Sequence, residues 1–473
     1  MIQKPQKLYT KFLEGFPFTP TNRQNDLLKQ LANFALSANK NALFLLKGYA
    51  GTGKTTIVST LVNNLHHIPL KSILLAPTGR AAKVLGIYSK RPAFTIHKKI
   101  YHPKKDKNSG VSFNLQKNKH TNTIFIVDEA SMIPDSFAEF SQKKSLLDDL
   151  ISYIYSGKNC KLILIGDTAQ LPPVKLEVSP ALDMHVLSYQ YDKEVDEIEL
   201  NEVMRQHETS GILYNATQLR VHLKQEYFTN FTFDLNYPDI IRLTDGDEIQ
   251  DAINDSYSNN GVEATAFIVR SNKRANQYNQ QIRLSILGQE NKISTGDYVM
   301  VVKNNYYWLK DSTEVSFIAN GDICEILEIY NYKNLYGFKF AEVKLRMIDY
   351  PNQIPFETVI LLDTLESESP SLTYQESNAL YQEVALDYAD EKSKYKVMLA
   401  IKNNKYFNAL QIKFSYAMTC HKSQGGQWEN VFVEQPYLPD GPDMSYLRWL
   451  YTAVTRAQKK LYLIGFKDAC FEE

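Results

Sequence analysis

The stretch ALFLLKGYAGTGKTT (42–56) decides the fold of this chain. A short, mostly apolar run leads into Gly48, and Gly53-Lys54-Thr55 follows after four residues, which is the pattern GxxxxGK[ST]. The apolar run predicts a buried strand, and TTIVSTLVNNL (55–65) continues with apolar residues at helical spacing. A strand, a glycine-rich loop and a helix in this order predict a site for the phosphates of a nucleoside triphosphate.

The residues of this loop are expected to share the work of holding the phosphates. Glycines let backbone N–H groups turn toward phosphate oxygens, and the start of the following helix adds partial positive charge. The Lys54 side chain is expected to reach the β- and γ-phosphates, and the Thr55 hydroxyl to join the shell of a Mg²⁺ ion. The predicted nucleotide-binding residues of the loop are Gly48, Gly51, Thr52, Gly53, Lys54, Thr55 and Thr56.

Two later apolar runs end in polar residues that suit the same site. IFIVDEAS (124–131) places Asp128 and Glu129 after four apolar residues, and we expect Asp128 at the metal ion and Glu129 beside the attacking water. LILIGDTAQLPPV (162–174) ends in a Gly-Asp pair followed by Gln170, whose amide is placed to sense the γ-phosphate or the water. Each segment alone is also compatible with an ordinary turn after a strand.

The composition excludes several classes of protein. The chain has 473 residues, of which 44% are hydrophobic and 22% charged, so we expect a globular protein of two to four domains. No run approaches about 18 apolar residues, and the start MIQKPQKLYTKF has no apolar core of a signal peptide. The four cysteines form no CxxC pair, so no zinc site or disulfide framework is predicted, and a reducing cytoplasmic location is expected.

The net charge is zero, which by itself argues weakly against a nucleic-acid partner. The charges are unevenly distributed, however. Residues 97–120 hold seven lysines and one acidic residue, whereas residues 363–391 hold eight acidic residues and no Lys or Arg. A neutral sum is therefore compatible with a local basic surface.

Taken in order, these patterns resemble the superfamily 1 helicases, and specifically the RecD/Dda type, which moves 5′-to-3′ on single-stranded DNA. The resemblance covers residues from about 18 to 466 and rests on about eight motifs in one order. The further segments that carry it are FTPTNRQNDLL (18–28), APTGRAAKVL (76–85), TIHKKI (95–100), LNEVMRQ (200–206), AFIVRSNKRANQYN (266–279), YAMTCHKSQGGQWENVFV (416–433) and YTAVTRAQKKLYLIG (451–465).

The resemblance implies further contacts to the nucleotide, which would be ATP. Gln24 would read the adenine edge, and Gly425 would belong to a late motif that couples DNA to the nucleotide. Arg205 and Arg456 would reach the γ-phosphate from a second motor domain, because arginine stays charged and forks onto phosphate oxygens. Taken alone, both arginines would be read as surface or salt-bridged residues. The predicted catalytic residues are Lys54, Asp128, Glu129, Gln170, Arg205 and Arg456.

The resemblance also implies contacts to single-stranded DNA. It departs from the family pattern at Gly79, where Dda-type relatives often have His. A lone histidine is more often structural than functional, so a structural role for the two histidines among these residues stays open. The predicted DNA contacts are Thr78, Arg80, Thr95, His97, Thr419, His421, Lys422 and Ser423.

The lysine-rich segment YHPKKDKNSGVSFNLQKNK (101–119) predicts a short β-hairpin, because a polar turn is followed by alternating apolar residues. In the family an insertion here forms a pin that splits the duplex. Phe113 would then stack on the terminal base pair. The alternative is that Phe113 packs against its own domain, in an otherwise solvated loop.

The predicted fold class is α/β, with two RecA-like P-loop domains built on parallel sheets. The first domain is expected at 1–185, with the hairpin insertion at about 98–121. The second is expected at 186–300 and 406–473, interrupted by an SH3-like β-barrel insertion with an acidic helical segment at 301–405. Strands are predicted at 42–47, 72–76, 124–127 and 161–165 in the first domain and at 265–269, 411–416, 430–433 and 460–464 in the second.

The function that the resemblance implies is an ATP-dependent DNA helicase or translocase with 5′-to-3′ polarity. DNA repair, recombination and replication all stay open as its pathway. The expected partners are single-stranded DNA and single-strand/duplex junctions, with a monomer as the expected working unit. Three alternatives stay open: an RNA-directed superfamily 1 helicase, a P-loop ATPase that is no motor, and a passive single-strand-binding module. The polarity is implied by the resemblance alone.

Overall fold

The computed structural model describes residues 4–106, 110–134, 145–174, 176–202, 209–228, 231–309 and 317–471, with the backbone alone described at 102–106 and 110–113. Two parallel sheets and one closed barrel dominate these residues. The α/β class predicted from the sequence, with a hairpin in the first half and a barrel in the second, is confirmed.

The first sheet has six strands, and every neighbouring pair in it is parallel. The strands of the first half of the chain are β1 (Ala42–Gly48), β2 (Lys71–Ala76), β3 (Ala93–Thr95), β4 (Tyr101–Asp106), β5 (Gly110–Leu115), β6 (Thr121–Val127), β7 (Lys158–Gly166) and β8 (Glu194–Leu200). Six of these strands form the sheet, in the order β3-β2-β6-β7-β1-β8, and β4 and β5 form a separate hairpin. The ends of β1, β7 and β6 therefore lie side by side. The sheet, its helices and the hairpin are called the first lobe below.

Strand β1 shows why the apolar run folds as a central strand. Phe44 and Leu46 pack into a cluster with the first three helices, whereas Leu43 and Leu45 pack into a second cluster on the opposite face. Successive strand residues point to opposite faces, so a strand covered by helices on both sides must be apolar throughout. The helices of this half are α1 (Pro5–Gly15), α2 (Asn22–Leu36), α3 (Lys54–Asn64), α4 (Gly79–Ser89), α5 (Ile96–Ile100) and α6 (Leu146–Tyr155).

Strand β8 extends the first sheet beyond the domain boundary predicted at 185. It pairs with β1 in parallel from Ala42↔Glu194 to Gly48↔Leu200, so the first lobe continues to Leu200. The sequence of β8, EVDEIEL, has only three apolar residues, as suits an edge strand, which is less covered than a central one. Its few apolar residues explain why this strand was missing from the prediction.

The hairpin predicted at about 98–121 is present as the antiparallel pair β4 and β5, with Tyr101 opposite Leu115 and Asp106 opposite Gly110. Phe113 lies in β5 opposite Pro103. Its side chain lies outside the described residues, so the stacking role of Phe113 stays a prediction.

The second half of the chain forms a five-stranded parallel sheet and a closed five-stranded barrel. Its strands are β9 (Ile240–Leu243), β10 (Thr265–Val269), β11 (Tyr298–Val301), β12 (Ile323–Leu335), β13 (Phe338–Met347), β14 (Phe356–Leu361), β15 (Leu410–Phe414), β16 (Ala417–Thr419), β17 (Trp428–Glu434) and β18 (Ala457–Ile464). The sheet order is β16-β10-β17-β18-β9, and the barrel runs from β11 through β15. The second sheet with its helices is called the second lobe.

One predicted strand belongs to a different sheet than expected. Residues 411–416 were expected in the second parallel sheet, but β15 closes the barrel by pairing with β11 and β14. Only Ser415 and Tyr416 separate it from β16, which pairs with β10 in the second sheet. The chain thus passes from one sheet to the other within two residues, and the barrel spans 298–414 rather than 301–405.

The acidic segment is helical and covers the barrel with its apolar side. Leu380, Val384 and Ile401 are buried in one cluster with Phe340 and Val359 of the barrel strands. Among the described residues no helix is long and apolar enough to cross a membrane. The helices of this half are α7 (Gly211–Lys224), α8 (Gly246–Asn260), α9 (Asn272–Gln281), α10 (Asp363–Glu366), α11 (Tyr374–Leu386), α12 (Lys394–Lys402), α13 (Cys420–Ser423) and α14 (Met444–Val454).

Candidate nucleotide site and nucleic-acid cleft

The P-loop joins the end of β1 to the start of α3. Gly51 and Gly53 have φ angles of 74° and 85°, in the left-handed region that glycine adopts without strain. Gly53 is the N-cap of α3, so the first N–H groups of that helix have no partner inside it. Thr55 and Thr56 lie half-buried on this first turn. The arrangement is the anion site that the sequence predicts.

Two side chains hold the loop in shape. Lys54 Nζ donates to the carbonyl oxygens of Gly48 and Tyr49 at 2.6 and 2.8 Å. The hydroxyl of Thr52, which is fully buried, donates to the same Tyr49 carbonyl at 2.8 Å. Thr52 therefore supports the loop with its side chain, and only its backbone faces the predicted phosphate position.

Gln24 is bonded at both ends of its amide in this structure. Its side chain is 1% exposed, its Oε1 accepts from the N–H of Thr21 at 3.0 Å, and its Nε2 donates to the Thr52 carbonyl at 2.9 Å. The first bond belongs to a capping box at the start of α2. Gln24 therefore supports the P-loop, and its contact to the adenine stays a prediction.

Asp128 and Glu129 follow β6, two strands from the P-loop in the sheet. The N–H of Glu129 donates to Asp128 Oδ1 at 2.9 Å, and Glu129 has a φ angle of 53°. A non-glycine residue adopts this region only where its surroundings hold it there. Burial raises the pKa of both carboxyls, and the charge of Lys54 opposes the rise in both. The carboxyls therefore share one electrostatic environment with the P-loop lysine.

Arg456 enters this environment from the second lobe. It follows α14, is 3% exposed, and donates from Nε to the Thr452 carbonyl at 3.0 Å and from Nη1 to the Gly426 carbonyl at 3.3 Å. No carboxylate of the described residues lies within 4.0 Å of its guanidinium. After burial, which raises the pKa of Glu129, the charge of Arg456 is the largest influence and lowers it. A buried guanidinium with neutral partners facing a P-loop marks a site for an anion.

The second predicted arginine, Arg205, lies outside the described residues, so its position stays a prediction. Gln170 does lie within the described residues, on the segment that follows β7. It is 6% exposed, and its Oε1 has no hydrogen-bond partner among the described residues. Buried amide oxygens are nearly always bonded, so this one is suited to a ligand in the cleft.

The segment that carries Gln170 also joins the lobes. The N–H of Leu171 donates to Thr452 Oγ1 at 2.8 Å, and Gln424 Nε2 donates to the Leu171 carbonyl at 2.7 Å. Thr452 lies on α14 and Gln424 follows α13, so both partners belong to the second lobe. The end of β7 is therefore bonded to the lobe that brings Arg456.

A second cleft, of about 260 Å³, collects five of the predicted DNA contacts. We call it the strand cleft. It is lined by Thr78, Thr95 and His97 of the first lobe, by Asn304, Phe317 and Asn320 of the barrel connection, and by His421, Lys422 and Gln424 of the second lobe. Both lobes and the barrel therefore contribute to one continuous surface.

The local structure explains how these side chains reach the strand cleft. Thr78 and Thr95 are the N-caps of α4 and α5, and their hydroxyls accept from backbone N–H groups at 3.2 and 3.1 Å. Burial lowers the pKa of His97 to about 4 and that of Lys422 to about 8. Burial and the neighbouring Lys422 lower the pKa of His421 as well. Near neutral pH the histidines are therefore uncharged hydrogen-bonding groups, and Lys422 is the titratable cation of the cleft.

Two predicted contacts lie elsewhere because the fold uses them for packing. Ser423 is fully buried, and its hydroxyl donates to the Cys420 carbonyl at 2.8 Å, so it does not face the strand cleft. Gly425 has a φ angle of 73°, and a Cβ there would lie 2.7 Å from Ala81 Cβ of the first lobe. Gly425 thus permits a close approach of the lobes, which is a different role from the nucleotide contact predicted for it.

Arg80 and Thr419 lie next to the strand cleft without lining it. The guanidinium of Arg80 stacks on the ring of Trp428 at 4.2 Å, and burial lowers its pKa. Thr419 is the N-cap of α13 and borders a separate small cavity. Contacts of these two residues to DNA stay predictions.

Three residues of the cleft between the lobes were missing from the predicted site: Asp167, Arg220 and Tyr451. Tyr451 sits in the apolar run of α14, where the sequence pattern indicates only a buried helix face. Arg220 lies on α7 and is 8% exposed, with its guanidinium 4.3 Å from the ring centre of Tyr49 in the P-loop. A lone arginine in an ordinary helix carries no sequence signal for this contact.

Comparison with known proteins agrees with this architecture. Two family models match, the AAA domain over residues 22–231 and the UvrD-like helicase C-terminal domain over residues 414–464. The first match contains the P-loop, both acidic residues after β6, and Gln170. The second contains the strand-cleft residues of the second lobe and Arg456.

Two curated relatives match most of the chain, and a third matches one third of it. An uncharacterized protein of Methanocaldococcus jannaschii is 23% identical over 90% of this chain, and the ATP-dependent DNA helicase dda of Enterobacteria phage T4 is 24% identical over 89%. The ATP-dependent RecD2 DNA helicase of Deinococcus radiodurans is 32% identical over 33%. The chain spans 37% of the length of the archaeal relative, 18% of the Deinococcus protein and 93% of the phage protein.

The AAA domain model and the UvrD-like helicase C-terminal domain model match in this order along the chain, and the P-loop of the first lobe contacts a second lobe that carries a buried arginine. The chain belongs to the superfamily 1 helicases of the RecD/Dda type.

Proposed function

We propose that the chain is an ATP-dependent DNA helicase that couples ATP hydrolysis to 5′-to-3′ movement on single-stranded DNA and to duplex unwinding. The relatives from phage T4 and Deinococcus radiodurans are both named ATP-dependent DNA helicases, which supports the activity. The polarity rests on membership of the RecD/Dda type.

The observation that carries the proposal is the buried guanidinium of Arg456. It comes from the second lobe, has no described carboxylate within 4.0 Å, and its charge acts on Glu129 of the first lobe. A one-lobed phosphate-binding protein has no need for such a residue. An arginine delivered to the γ-phosphate from another lobe accelerates phosphoryl transfer by roughly 10³–10⁵. Hydrolysis would therefore depend on closure of the lobes.

The residues of the first lobe suit the remaining steps of hydrolysis. Lys54 and the first turn of α3 would hold the β- and γ-phosphates, and the half-buried Glu129 carboxylate would orient the attacking water. Thr55 and Asp128 would hold Mg²⁺, an ion that suits a hydroxyl and a carboxylate and that neutralises phosphate charge. The Oε1 of Gln170, which has no partner among the described residues, would accept a hydrogen bond from the same water.

The strand cleft provides the connection to DNA. Its walls belong to both lobes, so a change in their separation changes the grip on a bound strand. Helix N-caps, neutral histidines and Lys422 are suited to phosphate and sugar rather than to base edges. We therefore expect little sequence preference and a strong dependence on salt.

The first experiment measures ATP hydrolysis with and without oligo-dT. The proposal predicts strong stimulation by the oligonucleotide, and Lys54→Ala should abolish hydrolysis while DNA binding is retained. Hydrolysis without stimulation would favour a P-loop ATPase that is no motor. Strand separation by Lys54→Ala at the wild-type rate would contradict an ATP-driven mechanism.

The second experiment addresses the track and the direction. Partial duplexes with a single 5′ or 3′ overhang, made of DNA or of RNA, are tested for unwinding with ATP. We expect unwinding of the DNA duplex with the 5′ overhang alone. Equal or better unwinding of the RNA duplex would identify an RNA-directed helicase, and unwinding from the 3′ overhang would overturn the polarity.

A further inference from the structure

The hydroxyl of Tyr451 joins the two lobes at the P-loop itself. The backbone N–H of Ala50 donates to Tyr451 Oη at 2.9 Å, and the hydroxyl donates to Asp167 Oδ2 at 2.7 Å. Ala50 lies in the P-loop, Asp167 follows β7, and Tyr451 lies on α14 of the second lobe. One side chain of the second lobe is therefore bonded to two segments of the nucleotide site in the first lobe.

The partners determine the direction of both bonds. An amide N–H can only donate and an ionised carboxylate can only accept, so the hydroxyl accepts from Ala50 and donates to Asp167. Tyr451 is fully buried, and burial together with the charge of Asp167 raises its pKa, so the phenol keeps its proton. Asp167 is itself held, because its Oδ1 accepts from the N–H of Ala169 at 2.9 Å. The hydrogen bonds form one continuous chain across the cleft.

The loop segment beside Ala50 is held from two sides. Within the first lobe, Lys54 donates to the carbonyls of Gly48 and Tyr49. From the second lobe, the guanidinium of Arg220 stacks on the Tyr49 ring at 4.3 Å. The second lobe thus contacts the loop directly next to the carbonyls that hold the predicted phosphate-binding lysine.

We propose that Tyr451 is a positioning residue for ATP hydrolysis: its hydroxyl sets the P-loop at Ala50 relative to the segment that carries Gln170 when the lobes close. This inference rests on the proposed function. Tyr451 is not bonded to Lys54 or to the first turn of α3, which would supply nucleotide binding. Its loss should therefore lower the rate of hydrolysis and leave nucleotide affinity nearly unchanged.

The test compares Tyr451→Phe with Tyr446→Phe. The first removes the hydroxyl that bonds the P-loop and leaves the ring in place. The second removes a hydroxyl of the same helix, α14, that donates to Gln435 Oε1 at 2.6 Å within the second lobe and does not touch the P-loop. For each variant, kcat and KM of oligo-dT-stimulated hydrolysis and the Kd of a fluorescent ADP analogue are measured.

We expect kcat of Tyr451→Phe to fall about 10-fold or more, the factor that loss of one ordinary hydrogen bond in the transition state gives. Its ADP-analogue Kd should stay within about 2-fold of wild type, because uniform binding is not affected. Tyr446→Phe should keep kcat within about 3-fold, because its hydroxyl bonds only within the second lobe. An unchanged kcat for Tyr451→Phe, equal losses in both variants, or a parallel loss of nucleotide affinity would each overturn the inference.

Failure of this inference is distinguishable from failure of the proposed function. A wild-type protein that shows no DNA-stimulated hydrolysis sinks the proposed function, whereas an active wild type with an equally active Tyr451→Phe sinks only the role of Tyr451. Asp167→Asn is a second variant that disturbs the same chain from its other end, because the amide cannot accept from both Tyr451 and Ala169. It should show the same fall in kcat with retained nucleotide affinity, and a kcat equal to wild type would count against the role.

Discussion

Arg456 is a buried cation whose hydrogen-bond partners among the described residues are neutral. Its guanidinium donates to neutral groups, among them the Thr452 carbonyl and the Thr455 hydroxyl. Such partners leave its charge without a described counterion within 4.0 Å. A phosphate group in the cleft would supply that counterion, and arginine binds phosphate through two parallel hydrogen bonds.

Replacement of Arg456 tests this at one residue. Arg456→Ala should lower kcat of DNA-stimulated hydrolysis by roughly 10³-fold or more, and Arg456→Lys should recover little because it loses the forked geometry. Arg448→Ala is the matched control, since Arg448 lies on α14, which Arg456 follows, and donates across the lobes to the Glu177 carbonyl. The kcat of each variant is measured by steady-state kinetics with saturating oligo-dT. A loss for Arg448→Ala as large as that for Arg456→Ala would point to general lobe packing.

The lowered pKa of Lys422 predicts that DNA binding depends on pH. Burial lowers its pKa to about 8, so its charge is present below that pH and is lost above it. The affinity for oligo-dT should therefore fall as the pH rises from 7 to 9, and Lys422→Arg should flatten the curve because arginine stays charged. Fluorescence anisotropy at constant ionic strength measures it. An equally steep curve for Lys422→Arg would contradict the assignment.

The predictable part of the site follows from motif chemistry. Lys54, Asp128, Glu129 and Arg456 were named from the sequence, and the structure places them in one electrostatic environment. Ser423 was misplaced, since a motif does not show which side of a four-residue helix faces the cleft. The Tyr451 hydrogen bonds were not predictable either, because they join positions 401 and 284 residues apart in the chain.

Among the elements, α4 and the loop after α13 form the tightest contact between the lobes. Gly425 in that loop has a φ angle of 73°, and its Cβ position is filled by Ala81 of α4. This contact lies beside Thr78, which lines the strand cleft. The element that grips the strand is therefore packed directly against the second lobe.

Gly425→Ala should disturb this contact. Any non-glycine residue at such a φ costs about 1–2 kcal/mol, and here the new methyl group would also lie 2.7 Å from Ala81 Cβ. Gly441→Ala is the matched control, because Gly441 has a φ angle of 80° and nothing within 4 Å of its Cβ position. Urea unfolding should show a loss of stability of about 1–2 kcal/mol in Gly441→Ala and a larger loss in Gly425→Ala, and DNA stimulation of hydrolysis should fall in Gly425→Ala alone. Equal stimulation in the two variants would contradict the contact.

The elements that sequence patterns predicted best are those buried on both faces. The central strands β1, β6 and β7 appear as continuous apolar runs, and each was predicted close to its observed position. The edge strand β8 and the three-residue β3 lack that signal. Assignment of β15 to the barrel depends on its partners β11 and β14, which are distant in sequence, and strand patterns carry no information about partners.

For the molecule as a whole, the two clefts are formed by the same two lobes. The nucleotide site lies between the P-loop and Arg456, and the strand cleft lies between Thr78 and Lys422, so each cleft has one wall in each lobe. A ligand that favours the closed lobes in one cleft must change the other by the same coupling free energy. The zero net charge is compatible with DNA binding, because Lys422 places a cation in the strand cleft.

The central claim is that one triphosphate is held by both lobes at once. A crystal structure with a non-hydrolysable ATP analogue and oligo-dT tests it most directly. The account predicts that Lys54 contacts the β- and γ-phosphates and that the Arg456 guanidinium donates to the γ-phosphate, with the strand lying across Thr78 and Lys422. A triphosphate bound by Lys54 while Arg456 points away and makes no hydrogen bond to it would contradict the account.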